Sequence, residues 1–396
     1  MIAAAGNGQQ KRIMNLRVMH VLRAPFGGLF RHVLDLVRGQ CERGIEAGII
    51  CDSSTGGEFA DTELGKLQQI CCLGVHRLPM KRKPGLSDWR VIRELDRIFR
   101  DQSPQILHGH GAKGAAYARL LASRTGAKAV YTPHGGALHY SYATLRGVVY
   151  LGLERLLKGR TDGAVFESEF SRRSYVQSVG AAEFPHRVVH NGLYEHEFSR
   201  LANGSAEYDF VFVGELRNLK GIYVLADAAH QVRQQREFTL LAVGAGDEQS
   251  NLESRITELG LDGVVKVCPP IYPVTEALAK GRCIVIPSLA ESLPYVVLET
   301  VAAAVPLLTT NVGGIPEIFG PFADRLLPAG DSRALAGAMH QFLDNPEGAQ
   351  TAAEGIRAHV RSQFHVLRMV DAINTFYGEI LHRDEPSAGS VSSDLE

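Results

Sequence analysis

Residues 283–300 read Cys-Ile-Val-Ile-Pro-Ser-Leu-Ala-Glu-Ser-Leu-Pro-Tyr-Val-Val-Leu-Glu-Thr, and this stretch decides the fold. Its first four residues are apolar and mostly β-branched, which predicts a buried parallel strand. The apolar run at 295–304 predicts a helix, with Ser292 as its N-cap and Pro294 in its first turn. A strand that feeds a helix through a short loop is the repeating unit of a doubly wound α/β sheet.

Two acids frame the N-terminus of that predicted helix: Glu291 in the loop, and Glu299 roughly two turns into the helix. The first N–H groups of a helix are unpaired and carry partial positive charge, so they can hold a phosphate. A carboxylate on each side could then accept hydrogen bonds from hydroxyls, a layout that suits a nucleotide sugar. Most exposed glutamates are merely solvated. The apolar run around Glu299 argues for a specific partner there, because an unpaired buried charge is costly.

The alternation of short apolar strands and amphipathic helices runs along the chain and restarts once. It predicts an α/β protein with two Rossmann-like, doubly wound parallel-sheet domains that face each other across a cleft. The polar residues 199–209 predict the linker. The predicted divisions are a disordered leader at 1–14, an N-terminal domain at 15–198, a C-terminal domain at 199–365, a terminal helix at 366–383 and a disordered tail at 384–396. For the terminal helix, packing towards the N-terminal domain is one option.

Composition indicates a globular protein, since 45% of the 396 residues are apolar and 21% are charged. The six cysteines are scattered without metal-like spacing, which favours buried, reduced thiols in a cytosolic protein. No secretory signal and no apolar run long enough to span a bilayer is visible in the sequence. The expected location is therefore the cytoplasm.

Charge is distributed unevenly: residues 1–200 hold 28 Lys and Arg against 18 Asp and Glu, whereas residues 201–396 hold 14 against 25. A basic first half predicts an anionic partner surface such as the inner face of the plasma membrane, although attraction between two domains is the simpler alternative. The predicted helix at 146–160, apolar with basic edges, fits either membrane-surface docking or a buried core. Basic residues without interleaved aromatics argue against nucleic acid.

Glycines and histidines mark the ends of predicted strands in the first half. Gly27 and Gly28 follow the first strand and would let backbone approach a phosphate, or would simply form a tight turn. His108 and His110 are spaced like a metal pair, but no third ligand is visible nearby, so packing histidines are favoured and no metal site is predicted. His134 follows a strand, at the edge where open α/β sheets place ligand groups; a structural histidine is the alternative.

Several segments together resemble the retaining glycosyltransferases of family 4, which have the GT-B fold. The matching segments, which span most of the chain, are Gly27-Gly28, Thr132-Pro-His134, Asn191-Gly192, Val213-Gly-Glu-Leu-Arg-Asn-Leu-Lys-Gly221, Ala242-Val-Gly-Ala-Gly246, Pro287-Ser-x-x-Glu291 with Glu299, and Gly313-Gly-x-Pro-Glu317. The resemblance implies an enzyme that moves a sugar from a UDP- or GDP-sugar to a glycan or lipid-linked acceptor, in cell-surface polysaccharide or lipopolysaccharide synthesis, without a metal cofactor.

The resemblance also implies roles for individual residues. Glu299 would bind the ribose hydroxyls of the donor, and Glu291 would hold the transferred sugar. Lys220 and Arg217 would neutralise the diphosphate, and His134 would lie beside the sugar. Backbone would approach the donor at the remaining implied positions: Gly27, Gly28, Gly214, Gly244, Ser292, Leu293 and Pro294.

Three positions depart from the family pattern. Glu215 stands where many members have arginine, Tyr194 replaces the usual acid of Asn-Gly-Val-Asp, and Pro269-Pro270 stand where a glycine is common. Two other functions stay open: a sugar-nucleotide epimerase of the same two-domain fold, and a non-catalytic partner that only binds a nucleotide sugar.

Overall fold

The structure is a computed structural model, and it describes residues 16–83, 85–136, 142–201 and 206–383. The chain divides into two compact units. The first is drawn from Met1–Glu167, Ser171–Val189 and Val366–Glu396, and the second from Ser168–Phe170 and His190–His365. The predicted leader, the predicted tail and part of the predicted linker lie outside the described residues.

The first unit contains a seven-stranded parallel sheet in the order β3-β2-β1-β4-β5-β6-β7. Its strands are β1 (Arg17–Leu22), β2 (Glu46–Asp52), β3 (Val75–Leu78), β4 (Ile106–His110), β5 (Lys128–Thr132), β6 (Gly163–Phe166) and β7 (His186–Val188). Its helices are α1 (Gly27–Glu42), α2 (Gly57–Gln68), α3 (Ser87–Gln102), α4 (Gly111–Thr125), α5 (Leu145–Lys158), α6 (Glu169–Ser178, of which the first two residues belong to the second unit) and the terminal α14 (Val366–His382).

The second unit contains a five-stranded parallel sheet in the order β10-β9-β8-β11-β12. Its strands are β8 (Tyr208–Val213), β9 (Leu240–Val243), β10 (Val265–Cys268), β11 (Gly281–Ile286) and β12 (Leu307–Thr309). Its helices are α7 (Ile222–Arg233), α8 (Gln249–Glu258), α9 (Val274–Leu278), α10 (Tyr295–Ala302), α11 (Ile315–Phe319), α12 (Ser332–Asp344) and α13 (Pro346–Gln363).

Both faces of each sheet are covered, as the continuous apolar strands predict. In β11, Cys283 and Val285 join one buried cluster, whereas Ile284 and Ile286 join the cluster on the opposite face. This division follows from the two-residue repeat of side chains along a strand. The prediction of two parallel-sheet α/β domains is confirmed.

The structure differs from the sequence predictions in several boundaries. The division between the units falls at Val189/His190 rather than at 198/199. Three helices, α2, α8 and the five-residue α11, were not predicted. The terminal helix α14 belongs to the first unit, where Asn374 accepts a hydrogen bond from Gln40 of α1 at 3.1 Å and Val370 packs against Gly39.

Candidate functional site

The loop between β11 and α10 holds Glu291 and leads into the helix that carries Glu299. Pro294, not Ser292, is the N-cap of α10, and the proline makes no side-chain capping hydrogen bond. The reason is that a proline disfavours helical backbone at the residue before it, so the helix cannot begin at Leu293. Glu299 is consequently the fifth residue of α10, a little over one turn in rather than two.

Lys220 and Glu291 form an ion pair within the second unit. The Lys220 Nζ atom lies 2.6 Å from Glu291 Oε1, and the same oxygen accepts a hydrogen bond of 2.7 Å from the Ser288 hydroxyl. The Glu291 side chain is 8% exposed and that of Lys220 is 25% exposed. A buried carboxylate is thus neutralised by a cation that still reaches solvent.

A glycine allows this pair to form. Lys220 ends the short 3₁₀ turn Asn218–Lys220, and Gly221 follows it with a φ of +71°. A Cβ atom on Gly221 would lie 1.8 Å from the carbonyl oxygen of Pro287. The peptide N–H of Leu289 also donates to the Leu219 carbonyl at 2.9 Å. Only glycine permits the turn that carries Lys220 to approach the loop that carries Glu291 this closely.

The predicted Gly-Gly-x-Pro-Glu motif supports the other side of the same loop. A Cβ atom on Gly313, whose φ is +61°, would lie 2.0 Å from the Glu291 carbonyl oxygen. The Gly314 N–H donates to the Ser292 carbonyl at 2.6 Å, and the Asn191 side chain donates to the Leu293 carbonyl at 2.9 Å. The backbone of 291–293 is therefore held from two directions.

Glu317 ends that motif and binds two backbone N–H groups and a histidine. Its carboxylate accepts hydrogen bonds from the peptide N–H groups of Glu169 and Phe170, each at 2.8 Å, and contacts His190 Nε2 at 2.9 Å. Burial would raise the pKa of Glu317, but these hydrogen bonds outweigh it and the pKa is lowered. The residue thus fixes the segment 168–170 to the second unit.

The remaining predicted residues of the second unit have structural contacts of their own. The Arg217 guanidinium donates to Glu215 at 3.1 Å and is 41% exposed. A Cβ atom on Gly244 would lie 1.9 Å from the Gly214 carbonyl oxygen, so this pair lets the ends of β8 and β9 approach. Glu299 is partly buried in α10. Donor binding by these residues stays a prediction.

The predicted residues of the first unit lie at the carboxyl ends of its strands. Gly27, with a φ of +71°, and Gly28 begin α1 directly after β1, and both are exposed. His134 follows β5 with a φ of +50°, a left-handed conformation that non-glycine residues adopt rarely and that is enriched at functional sites. The Gly135 N–H donates to Glu167 at 3.1 Å and holds this turn.

His134 is one of five imidazoles gathered in the first unit. The others are His20 on β1, His32 on α1, and His108 and His110 on β4. The sequence showed no third ligand near the pair on β4; the structure supplies three, because β1, α1 and the end of β5 adjoin β4 in space but not along the chain.

Burial keeps four of the five rings, those of His20, His108, His110 and His134, uncharged. It lowers the pKa of His20 to about 4, that of His134 to about 3, and those of His108 and His110 well below the usual range. Hydrogen bonds of His108 to the Tyr377 hydroxyl at 2.5 Å and the Thr132 hydroxyl at 2.8 Å satisfy its two ring nitrogens without adding charge.

Helix α5 presents apolar side chains to solvent as well as to the core. Leu151 and Leu157 are buried, whereas Leu145 is 83% exposed and Leu156 is 68% exposed. Val148, Val149 and Leu153 are also exposed, and Arg155 and Lys158 lie in the last turn. The helix at 146–160 is therefore not a fully buried core helix. Among the described residues, no helix is long and apolar enough to cross a membrane.

Two family models match the chain, one in each half. The model described as "Glycosyltransferase Family 4" matches residues 26–195, and the model described as "Glycosyl transferases group 1" matches residues 207–345.

Curated relatives and solved structures agree with these models. The chain is 25% identical over 243 residues to the O-antigen biosynthesis glycosyltransferase WbnH of Escherichia coli, covering 59% of this chain and 68% of the relative. It is 23% identical over 366 residues to the D-inositol 3-phosphate glycosyltransferase of Pseudarthrobacter chlorophenolicus, covering 85% and 86%. The fold is similar to that of HepE of Anabaena in complex with UDP-glucose, with a TM-score of 0.75, 19% identity, and coverage of 92% and 100%.

Proposed function

This chain is a glycosyltransferase of family 4 with the GT-B fold, and we propose that it transfers a sugar from a nucleoside diphosphate sugar with retention of anomeric configuration. The observation that carries the proposal is the ion pair of Lys220 and Glu291, 2.6 Å apart, in the loop that leads into α10. It unites the cation and the sugar-binding acid that the resemblance implies.

The physical task of such a site is to stabilise the leaving group. As the bond from the anomeric carbon to the diphosphate breaks, the diphosphate departs with the electron pair, and charge builds on its oxygens. The Lys220 ammonium and the N–H groups at the start of α10 are fixed positive groups that can stabilise this charge. No metal ion is required where lysine and a helix terminus supply the neutralisation.

Glu291 would hold the sugar so that an acceptor hydroxyl attacks the face from which the diphosphate leaves, which gives retention. The proton of that hydroxyl would pass to an oxygen of the departing diphosphate. The second carboxylate oxygen, Oε2, would bind the sugar hydroxyls, because both contacts described for Glu291 use Oε1. Glu299 would bind the ribose, and His134 of the first unit would contact the sugar. Arg217 would supply a second cation if its guanidinium left Glu215 and bound the diphosphate instead.

The donor is proposed to be a UDP- or GDP-sugar. The solved neighbour HepE contains UDP-glucose, which supports a nucleotide sugar for the same fold. The acceptor is proposed to be a glycan or a lipid-linked glycan of the cell surface, which the similarity to an O-antigen biosynthesis enzyme supports.

A panel of UDP- and GDP-sugars with the purified protein tests the proposal. We expect one donor to raise the melting temperature, since a ligand that binds only the folded state stabilises it. Donor incubated alone should be hydrolysed slowly, and NMR should show that the first released sugar keeps the donor's anomeric configuration. Glu299→Gln should weaken donor binding, whereas Glu253→Gln, on α8 of the same unit, should not.

The other outcomes separate the alternatives. An epimer that forms from the donor without acceptor identifies an epimerase, and stabilisation without transfer or hydrolysis identifies a binding partner. Release of the opposite anomer contradicts retention.

We further propose that the acceptor is reached by docking at the inner, anionic face of the plasma membrane. The exposed apolar side chains of α5, followed by its basic last turn, support this because such faces bind anionic interfaces. Co-sedimentation with phosphatidylglycerol vesicles at low salt should fall in the Leu145→Ser/Leu156→Ser variant. Leu120→Ser, which removes an exposed leucine of α4, is the control. Equal co-sedimentation of all three proteins contradicts docking through α5.

A further inference from the structure

The histidine cluster of the first unit has a feature that sugar transfer does not use: a directional chain of hydrogen bonds. Gln40 Nε2 donates to Asn374, so its oxygen faces His20 Nε2 at 2.8 Å. An amide oxygen can only accept, hence His20 is protonated at Nε2 and its Nδ1 carries a lone pair. That lone pair lies 3.0 Å from His110 Nε2, which must be the donor.

His110 is therefore protonated at Nε2 and has a lone pair at Nδ1. This tautomer is assigned from the network, and it follows from the orientation of the Gln40 amide, whose nitrogen faces Asn374. The His110 Nδ1 atom lies 3.1 Å from His134 Nε2. One ring nitrogen of each of His32, His110 and His134 lies within 4.8 Å of those of the other two.

Three imidazoles whose nitrogen atoms converge in this way are a metal-ligand set. A histidine that binds a metal usually donates its other N–H to a fixed acceptor, which orients the ring and raises its basicity. His110 has this arrangement already, with His20 as the acceptor and Gln40 behind it. Without a metal, His134 Nε2–H donates to His110 Nδ1; with a metal, both nitrogens become ligands.

A second trio, His20, His108 and His110, also has ligand atoms close together, but it is less suited to a metal. It is completely buried, and each ring nitrogen of His20 and His108 already has a hydrogen-bond partner. The trio that contains His134 is partly exposed, so an ion can reach it and water can complete its coordination.

We propose that His32, His110 and His134 bind a divalent transition-metal ion such as Zn²⁺, and that the hydrogen-bond chain from Gln40 through His20 orients the His110 ring. Three imidazole nitrogens with one open position suit Zn²⁺, and neutral imidazole favours Zn²⁺, Cu²⁺ or Ni²⁺ over Mg²⁺ or Ca²⁺. The site goes beyond sugar transfer and does not depend on it. If His134 contacts the sugar, a bound ion withdraws its Nε2, and Zn²⁺ inhibits transfer.

The test is a calorimetric titration of untagged, EDTA-treated full-length protein with Zn²⁺, followed by dialysis and measurement of bound metal by mass spectrometry. Untagged protein is essential because a polyhistidine tag binds the same ions. Cys72 is exposed, so all variants should carry Cys72→Ser to remove a competing thiol. We expect one equivalent of Zn²⁺ per chain, and no comparable binding of Mg²⁺.

His32→Gln and His134→Gln should each abolish the stoichiometric binding. His134 is partly exposed, so its variant remains informative if the buried His32 variant does not fold. Gln40→Leu leaves all three ligands in place and should weaken binding about 10-fold, the usual cost of losing a group that orients a ligand. His76→Gln is the matched control: this partly buried histidine of β3 contacts the Leu73 carbonyl and lies outside the cluster.

Absence of Zn²⁺ binding by the parent protein would overturn the proposal. Stoichiometric binding that survives in both ligand variants, or that is lost in His76→Gln, would place the ion elsewhere and would overturn it as well. None of these outcomes bears on donor binding by the second unit, which the nucleotide-sugar panel measures separately.

Discussion

Two ion pairs of this protein, one in each unit, differ in how completely their hydrogen-bonding capacity is used. In the first unit, Arg119 binds Glu154 through two parallel hydrogen bonds of 2.9 and 3.1 Å, donates to the Ala115 carbonyl, and lies over the Tyr131 ring. Both side chains are almost completely buried. In the second unit, Lys220 meets Glu291 through a single contact, and the cation is partly exposed.

The difference separates a structural pair from one that can serve a ligand. The bidentate pair is buried, so a ligand from solvent has no exposed atom of it to bind. An ammonium has three N–H donors, and the contact with Glu291 uses one of them. The comparison therefore predicts that the first pair serves stability and the second serves ligand binding. Three predictions test this difference, and a fourth concerns the carboxylate of Glu317.

The largest expected effect is on stability in the first unit. Glu154→Gln leaves the Arg119 charge buried without its counterion and should cost about 3–5 kcal/mol in the free energy of unfolding. Chemical denaturation measures this change. Turnover per folded molecule should be unchanged, because the pair contacts no substrate. Arg119→Met/Glu154→Leu, which removes both charges, should restore most of the stability; continued instability of the double variant would contradict the charge explanation.

Lys220→Ala should have the opposite effect, a loss of turnover with little loss of stability. We expect turnover to fall by about 10²-fold or more, as for other groups that stabilise developing charge, with little loss of stability because the cation is partly exposed. Steady-state kinetics with the donor identified by the panel measures it. Lys266→Ala, an exposed lysine on β10, is the control for charge alone. Unchanged turnover in Lys220→Ala would remove the functional assignment.

Gly221→Ala tests whether the second pair depends on backbone approach. The added Cβ would meet the Pro287 carbonyl and should destabilise the second unit by about 1–3 kcal/mol, as other overpacked sites are. Gly260→Ala is a matched control, because Gly260 also has a positive φ (+66°) but has no atom within 4 Å of the added Cβ. A similar fall in melting temperature in both variants would mean that the destabilisation comes from the left-handed backbone conformation and not from the contact with the Pro287 carbonyl.

Glu317 offers the smallest effect and a pH dependence. Its pKa is lowered in the folded protein, so its contribution to stability is present above the pKa of an unfolded glutamate and is lost as pH falls through the lower folded value. Glu317→Gln should therefore reduce stability by about 1–2 kcal/mol at neutral pH, since hydrogen bonds to a charged group are worth this much. The difference from the parent protein should vanish in acid. A pH-independent difference would contradict the role of the charge.

Much of the fold could be predicted because its strands are short, apolar and β-branched, and parallel strands buried on both faces retain that signature. Two of the three missed helices bury little, and the third, α11, is five residues long. Helix α2 buries three side chains, Ala60, Leu64 and Leu67, and α8 buries two, Leu252 and Ile256. An apolar stripe of two or three residues is too narrow to distinguish a helix from a polar loop in the sequence.

Part of the site could be predicted as well. The spacing of Glu291 and Glu299 placed one acid in a loop and the other in a helix, and the structure confirms both positions. The contact of Lys220 with Glu291 spans 71 residues and depends on Gly221, which sequence spacing alone does not show.

The histidine cluster was missed for the same reason. His20 and His108 occupy paired positions only because β1 and β4 are neighbours in the sheet, and strand order is a property of the fold, not of either segment. A search for histidines two residues apart, as in His108 and His110, finds only one of the four segments that contribute to the cluster.

The helix that closes the chain has a consequence for the order in which the protein is made. Helix α14 belongs to the first unit, where the Tyr377 hydroxyl contacts His108 and Asn374 accepts from Gln40, yet residues 190–365 of the second unit are synthesised before it. The second unit is therefore synthesised completely while the first still lacks one of the helices that cover its core. The domain that is translated first is the last to be finished, and a stop codon ahead of residue 366 would damage the beginning of the protein rather than its end.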